Sequence, residues 1–233
     1  MPPASPAYGD AWTYESIVGA VPGTDLSTAA AVTIQVVSFE AAVLALAAAY
    51  GLPDAAVAGT VAVAVAGVGS VLMTRIASAN RILSAPTRYY RLLFGSSIEV
   101  VLGVVAFCAL VTYLFVVEPA SSSLLTELFG PEPPVPAVFL ALLVLWDLCY
   151  RIGTSWWTAV VSLVREVRFG PTGETAAAFR RLDRTNVVFA LCQLALVPFV
   201  ADRPVLVAAI GGHVLAVTAV SAVAVGLSTR RCR

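Results

Sequence analysis

Six stretches of the chain are almost continuously apolar, at residues 27–50, 55–74, 92–117, 136–160, 186–200 and 204–228. The segments between them collect Arg, Asp, Glu, Pro and Gly. A helix needs about 20 apolar residues to cross the hydrocarbon of a bilayer, so each stretch predicts a membrane span. The fifth is the shortest, since about 15 residues rise only about 23 Å. For this span an earlier start near Phe179, with its arginines reaching back to the headgroups, and a re-entrant segment paired with the sixth remain as alternatives. The helical pattern of the fourth continues to about residue 168. A cap at Thr24 or Asp25 starts the first span. Gly51-Leu52-Pro53-Asp54 and Asp202-Arg203-Pro204 predict turns, and residues 118–135 an acidic, proline-rich loop. Tyr14, Ile17, Val18 and Val21 recur at helical spacing, which predicts a short amphipathic helix over 10–21, with Trp12 at headgroup level. A plain tail is the alternative there. The expected fold class is all-α: a polytopic transmembrane bundle of six spans over 27–228. An N-terminal segment, 1–26, would carry the interfacial helix, and 229–233 would form a tail.

Composition supports the same solvent. Of 233 residues 59% are hydrophobic and 12% charged, with a mean hydropathy of +0.90. Soluble domains carry about 25% charged residues. The expected location is the cell membrane, as a multi-pass protein. The first 25 residues hold no Arg or Lys, so no cleavable leader is expected. All 14 basic residues are arginine, and such an Ala- and Val-rich, lysine-free composition resembles that of haloarchaeal or actinobacterial membrane proteins. Without lysine there is neither a Schiff-base site for retinal nor a GxxxxGK phosphate loop.

The arginines also orient the chain. Loop 75–91, the region 165–184 and the tail together hold all but Arg151 and Arg203, and a six-span count puts them on one side. The acidic residues Asp54, Glu118, Glu127, Glu132 and Asp202 fall on the other. Positively charged loops stay in the cytoplasm, so both termini are expected inside. Expected partners are the lipid bilayer, anionic lipid at the cytoplasmic arginines, and a second copy or another membrane subunit. Nucleic-acid binding is not expected, because the arginines are already explained by orientation.

Ionisable groups inside the spans are costly and need a reason. They are Glu40, Glu99, Asp147, Arg151 and His213. In the fourth span Asp147, Arg151, Thr154, Thr158, Ser162 and Arg165 share one helical face within roughly 80° of arc. This polar stripe predicts contact with protein or water, with Asp147 and Arg151 paired at i,i+4 and Trp156 and Trp157 off the stripe in an aromatic belt. Small residues on the second and third spans predict close helix packing. Two functions fit: a small transporter or channel-like protein whose carboxylates exchange protons or cations in a cytoplasm-facing polar cavity, or a non-catalytic scaffold or assembly subunit whose polar groups only fix packing. No catalytic motif, metal site or cofactor site is read, and the four cysteines are expected to act as small apolar residues.

Overall fold

The computed structural model describes Trp12, residues 27–119 and residues 123–231. The expected helix over 10–21 therefore lies outside the described residues, apart from Trp12. Among the described residues there is no strand, and six helical stretches are long and apolar enough to cross a membrane.

Helix α1 (Thr28–Tyr50) is capped by Ser27, whose hydroxyl accepts the Ala30 N–H at 3.2 Å; the expected caps, Thr24 and Asp25, lie outside the described residues. It ends where Gly51 turns left-handed (φ 66°) and Leu52 N–H bonds the Ala47 carbonyl. Pro53 then opens α2 (Pro53–Ile82), which runs well past the boundary at 74 expected from hydropathy. Arg75 and Arg81 thus sit on a helix, not in a loop. Loss of hydropathy marks where lipid ends, whereas intrahelical hydrogen bonds serve the backbone equally well in water.

The third span is not the continuous helix expected over 92–117. A short α3 (Thr87–Phe94) stops at Gly95-Ser96-Ser97, and α4 (Ile98–Thr112) starts afresh and closes with a π-helical turn at Tyr113–Val117. Gly and Ser are weak helix formers, and Ser97 is left-handed (φ 51°). The break frees carbonyls that lipid could not satisfy. Leu92 C=O accepts the Trp157 indole N–H at 3.0 Å and the Ser96 hydroxyl at 2.9 Å, and Leu93 C=O accepts the Trp12 indole at 3.3 Å. Both tryptophans, expected at the membrane surface, are buried for this reason: an indole N–H inside a protein needs an acceptor, and the broken helix end supplies one.

The expected acidic loop holds a short helix, α5 (Leu124–Phe129), capped by Ser123 on Thr126 N–H at 3.1 Å. Helix α6 (Val135–Arg168) is the hub: α4 lies along it, and α1, α2, α3, α7 and α8 also touch it. The fifth span starts at Gly173, far before the boundary expected at 186. Helix α7 (Gly173–Cys192) leads into a 3-10 stretch, Gln193–Val200, so the whole crossing has 28 residues. One face of its polar first half, with Ala176, Phe179, Asp183 and Asn186, is buried against protein, while its charged residues hid it from a hydropathy count. Pro198 lacks an N–H, consistent with the tightened last turns. Helix α8 (Pro204–Arg231) completes the bundle. Many large apolar side chains face outward, among them Val37, Val116, Phe139 and Leu215, as lipid contact requires.

Candidate functional site

The helix ends gather charge into two unlike poles. At one pole the C-terminal ends of α2, α6 and α8 meet α3 and the start of α7, and Arg75, Arg81, Arg88, Arg91, Arg168, Arg181 and Arg184 are exposed there. Beneath them lies a buried polar cluster. Arg165 on α6 bonds Asp183 on α7 at 2.7 Å and Glu166 at 3.0 Å, with the Phe179 ring stacked 4.2 Å from its guanidinium carbon. Tyr89 packs edge-on against Phe179 and donates to Asn80 at 2.6 Å, and Tyr90 donates to the Asn80 and Leu83 carbonyls. At the opposite pole Arg203 binds Glu118 at 2.5 Å and Glu127 at 2.7 Å, tying the end of the third span, α5 and the last turn together. Burial opposes the charge on Arg203, but the hydrogen bonds it donates to Glu127 and Glu118 outweigh it and raise the guanidinium's pKa.

The intramembrane residues singled out by sequence do not form one site. Asp147 and Arg151 pair at 2.7 Å, and the Arg151 side chain lies across Gly69 of α2, where an added Cβ would meet its Cδ at 2.7 Å. Glu40 is only half-buried and accepts the Thr60 hydroxyl at 2.8 Å across α1 and α2. Glu99 is fully buried at the first turn of α4, where α4 and α6 nearly touch: a Cβ on Gly153 would stand 2.5 Å from the Glu99 carbonyl oxygen and 2.6 Å from Gly103 N. The stripe residues Thr154, Thr158, Ser162 and Arg165 are all buried within protein. Thr154 and Thr158 donate back to the carbonyls of Tyr150 and Thr154 on their own helix. Among the described residues no three Asp, Glu, His or Cys side chains gather as a metal ion would require.

Sequence reading missed two polar groupings. One is the Asn80–Tyr89–Arg165–Asp183 cluster. The other is a reciprocal pair, in which the Ser155 hydroxyl donates to Asn186 at 3.1 Å and the Asn186 amide donates to the Ser155 carbonyl at 3.0 Å. Asn80, Asp183 and Asn186 lay in stretches assigned to loops or span edges. A helical pattern with one buried face through 173–185 was the available signal.

A large cavity lies elsewhere, toward the end of the bundle near Arg203. It has a volume of about 610 Å³ and is walled by α1, α2, α4, α6 and α8, with α5 and the 3-10 stretch over its end. Its wall runs along α6 from Ala137 to Trp156, about 28 Å at the helical rise. Leu, Val, Ala and Ile dominate it, and among the described residues lining it none is charged. Of the five ionisable residues proposed from sequence, only His213 reaches this chamber. His213 is buried, and neither ring nitrogen has a hydrogen-bond partner among the described residues. Val105 and Ala109 of α4 and Val205 and Ala209 of α8 line the chamber and are themselves exposed, so it opens sideways between those helices.

A model of a family of unknown function, DUF7530, matches residues 7–224. No curated protein and no solved structure matches the chain.

Proposed function

We propose that this chain, a member of DUF7530, is a multi-pass membrane protein that holds an apolar, bilayer-soluble molecule in the chamber between α1, α2, α4, α6 and α8. The observation that carries this reading is the chamber's size together with its chargeless wall. Its volume, about 610 Å³, falls within the range of small-molecule sites. Apolar cavities do not hold water well, whereas a hydrophobic solute can enter from the lipid between α4 and α8. The arginine pole faces the cytoplasm in this reading, so the end of the chamber near Arg203 lies toward the outer side, and anionic headgroups meet the exposed arginines.

The test is extraction. Protein purified in mild detergent is expected to carry a hydrophobic molecule at near-stoichiometric amount, seen by mass spectrometry of the organic extract. Ala141→Phe, which fills the chamber wall, is expected to lose it. Equal amounts of every extracted species in both proteins would overturn the reading.

In the same reading the intramembrane carboxylates serve packing and not ion exchange. Asp147 is matched by Arg151, and Glu40 by Thr60. Proton or cation flux through proteoliposomes that Glu40→Gln or Glu99→Gln abolishes would instead restore a transport role for these groups.

A further inference from the structure

We infer that the occupant of the chamber is an uncharged, elongated molecule with a hydroxyl or carbonyl oxygen at its buried end, and that His213 binds this oxygen. The inference rests on the chamber reading above and specifies its ligand. His213 stands at the inner end of the chamber wall on α8, about 14 Å along the helix from Pro204. That depth is near the middle of a hydrocarbon core about 30 Å thick.

Three observations select the chemistry. Both ring nitrogens of His213 are buried without a partner among the described residues and have almost no accessible surface even toward the chamber. An unsatisfied buried polar group is costly, and a half-turn of the imidazole about χ2 exchanges its nitrogen and carbon edges, so the ligand's oxygen would meet a nitrogen after that turn. A neutral imidazole offers one donor and one acceptor, so a hydroxyl can meet either nitrogen and a carbonyl can accept from the protonated one. Among the described residues no charged side chain lines the chamber, so a carboxylate, phosphate or ammonium head would be desolvated there without compensation. An ordinary phospholipid or fatty-acid anion keeps its head at the interface and cannot bring it to His213. The length of the wall along α6, about 28 Å, suits an extended apolar chain attached to the oxygen-bearing end.

The experiment uses the intact protein in nanodiscs, with quenching of Trp156 as the readout. Trp156 lines the same chamber, and Trp156→Phe supplies the background from the other tryptophans. The probes are brominated compounds of equal chain length: an alkane, a primary alcohol, a ketone, a trimethylammonium and a sulfonate. The alcohol and the ketone form separate arms, which tell a hydroxyl ligand from a carbonyl one. One or both are expected to quench saturably, with an affinity about fivefold above that of the alkane. In His213→Leu that preference should vanish, and in His213→Gln, which keeps a donor and an acceptor, it should partly return. The preference is a ratio within one protein, so partial unfolding of a variant does not imitate its loss.

Equal affinity for alkane, alcohol and ketone in the wild type, a preference that survives His213→Leu, or saturable binding of either charged probe would overturn the assignment while leaving the chamber. Quenching that never saturates, or that Ala141→Phe leaves unchanged, reports surrounding lipid only and removes the chamber reading with it.

Discussion

Arg165 shows how a buried charge is kept. It is 2% exposed, with Asp183 at 1% and Glu166 fully buried. Removing one partner of such a group leaves the other charge unmatched in a poor solvent, at a cost of about 3–5 kcal/mol. Asp183→Asn and Arg165→Met are each expected to lower the thermal midpoint in detergent substantially, read by a thermal-shift assay on fluorescently tagged protein. A midpoint within a degree of wild type for Asp183→Asn would show that Arg165 reaches water. Asp147 and Arg151 offer a second case, because they share one helix and each is the other's close counter-ion. The double change Asp147→Asn with Arg151→Met is expected to be milder than Arg151→Met with Asp147 left charged, and a double-mutant cycle measures the coupling. Simple additivity would mean that the pair contributes nothing. Asp147, Arg151 and their i,i+4 relation could be read from sequence because both partners lie on one helix. The partners of Arg165 could not, since Asp183 arrives from a separate helix eighteen residues on.

At the scale of elements, close packing of α4 on α6 rests on two glycines. A methyl on Gly153 would overlap the backbone of Glu99 and Gly103, and backbone cannot yield as a flexible side chain can. Gly153→Ala is expected to lower the midpoint by several degrees, because the helices must separate. Gly226→Ala, where nothing stands within 4 Å, is expected to be neutral or slightly stabilising. If the two variants behave alike in the same thermal-shift assay, the close crossing is not what holds α4. The break between α3 and α4 has its own dependence on tryptophan. Trp157→Phe keeps most of the ring but loses the hydrogen bond to Leu92 C=O, at an expected cost of about 1 kcal/mol. Hydrogen exchange at Ser96, Ser97 and Ile98 should rise with it, and unchanged protection there would contradict the role given to the indole. Small-residue faces were visible in sequence, but their partners were not, because a GxxxG-like spacing names one surface of a contact and leaves the other open.

At the scale of the whole molecule, the two poles predict topology. In an otherwise cysteine-free protein, Arg88→Cys and Arg181→Cys are expected to react with a membrane-impermeant maleimide only from the cytoplasmic side, and Glu132→Cys only from outside. Labelling of Arg88→Cys and Glu132→Cys from the same side would refute the orientation. Six crossings and the separation of arginine from acid along the chain were determined by the sequence alone, because lipid solvation acts residue by residue and leaves a one-dimensional record in hydropathy and charge. The same record misplaced the ends of α2 and α7, since a helix continues wherever its backbone bonds are satisfied, and Asp183 and Asn186 of α7 find protein partners instead of water. It also pointed to a polar cavity beside the fourth span. Tertiary structure closed that region by matching Arg165 with Asp183 and Ser155 with Asn186, and it left its space between apolar walls near Arg203. Apolar side chains that face lipid and those that face an internal chamber are identical in sequence. Only the angle and separation at which the helices pack decide which of them enclose a volume.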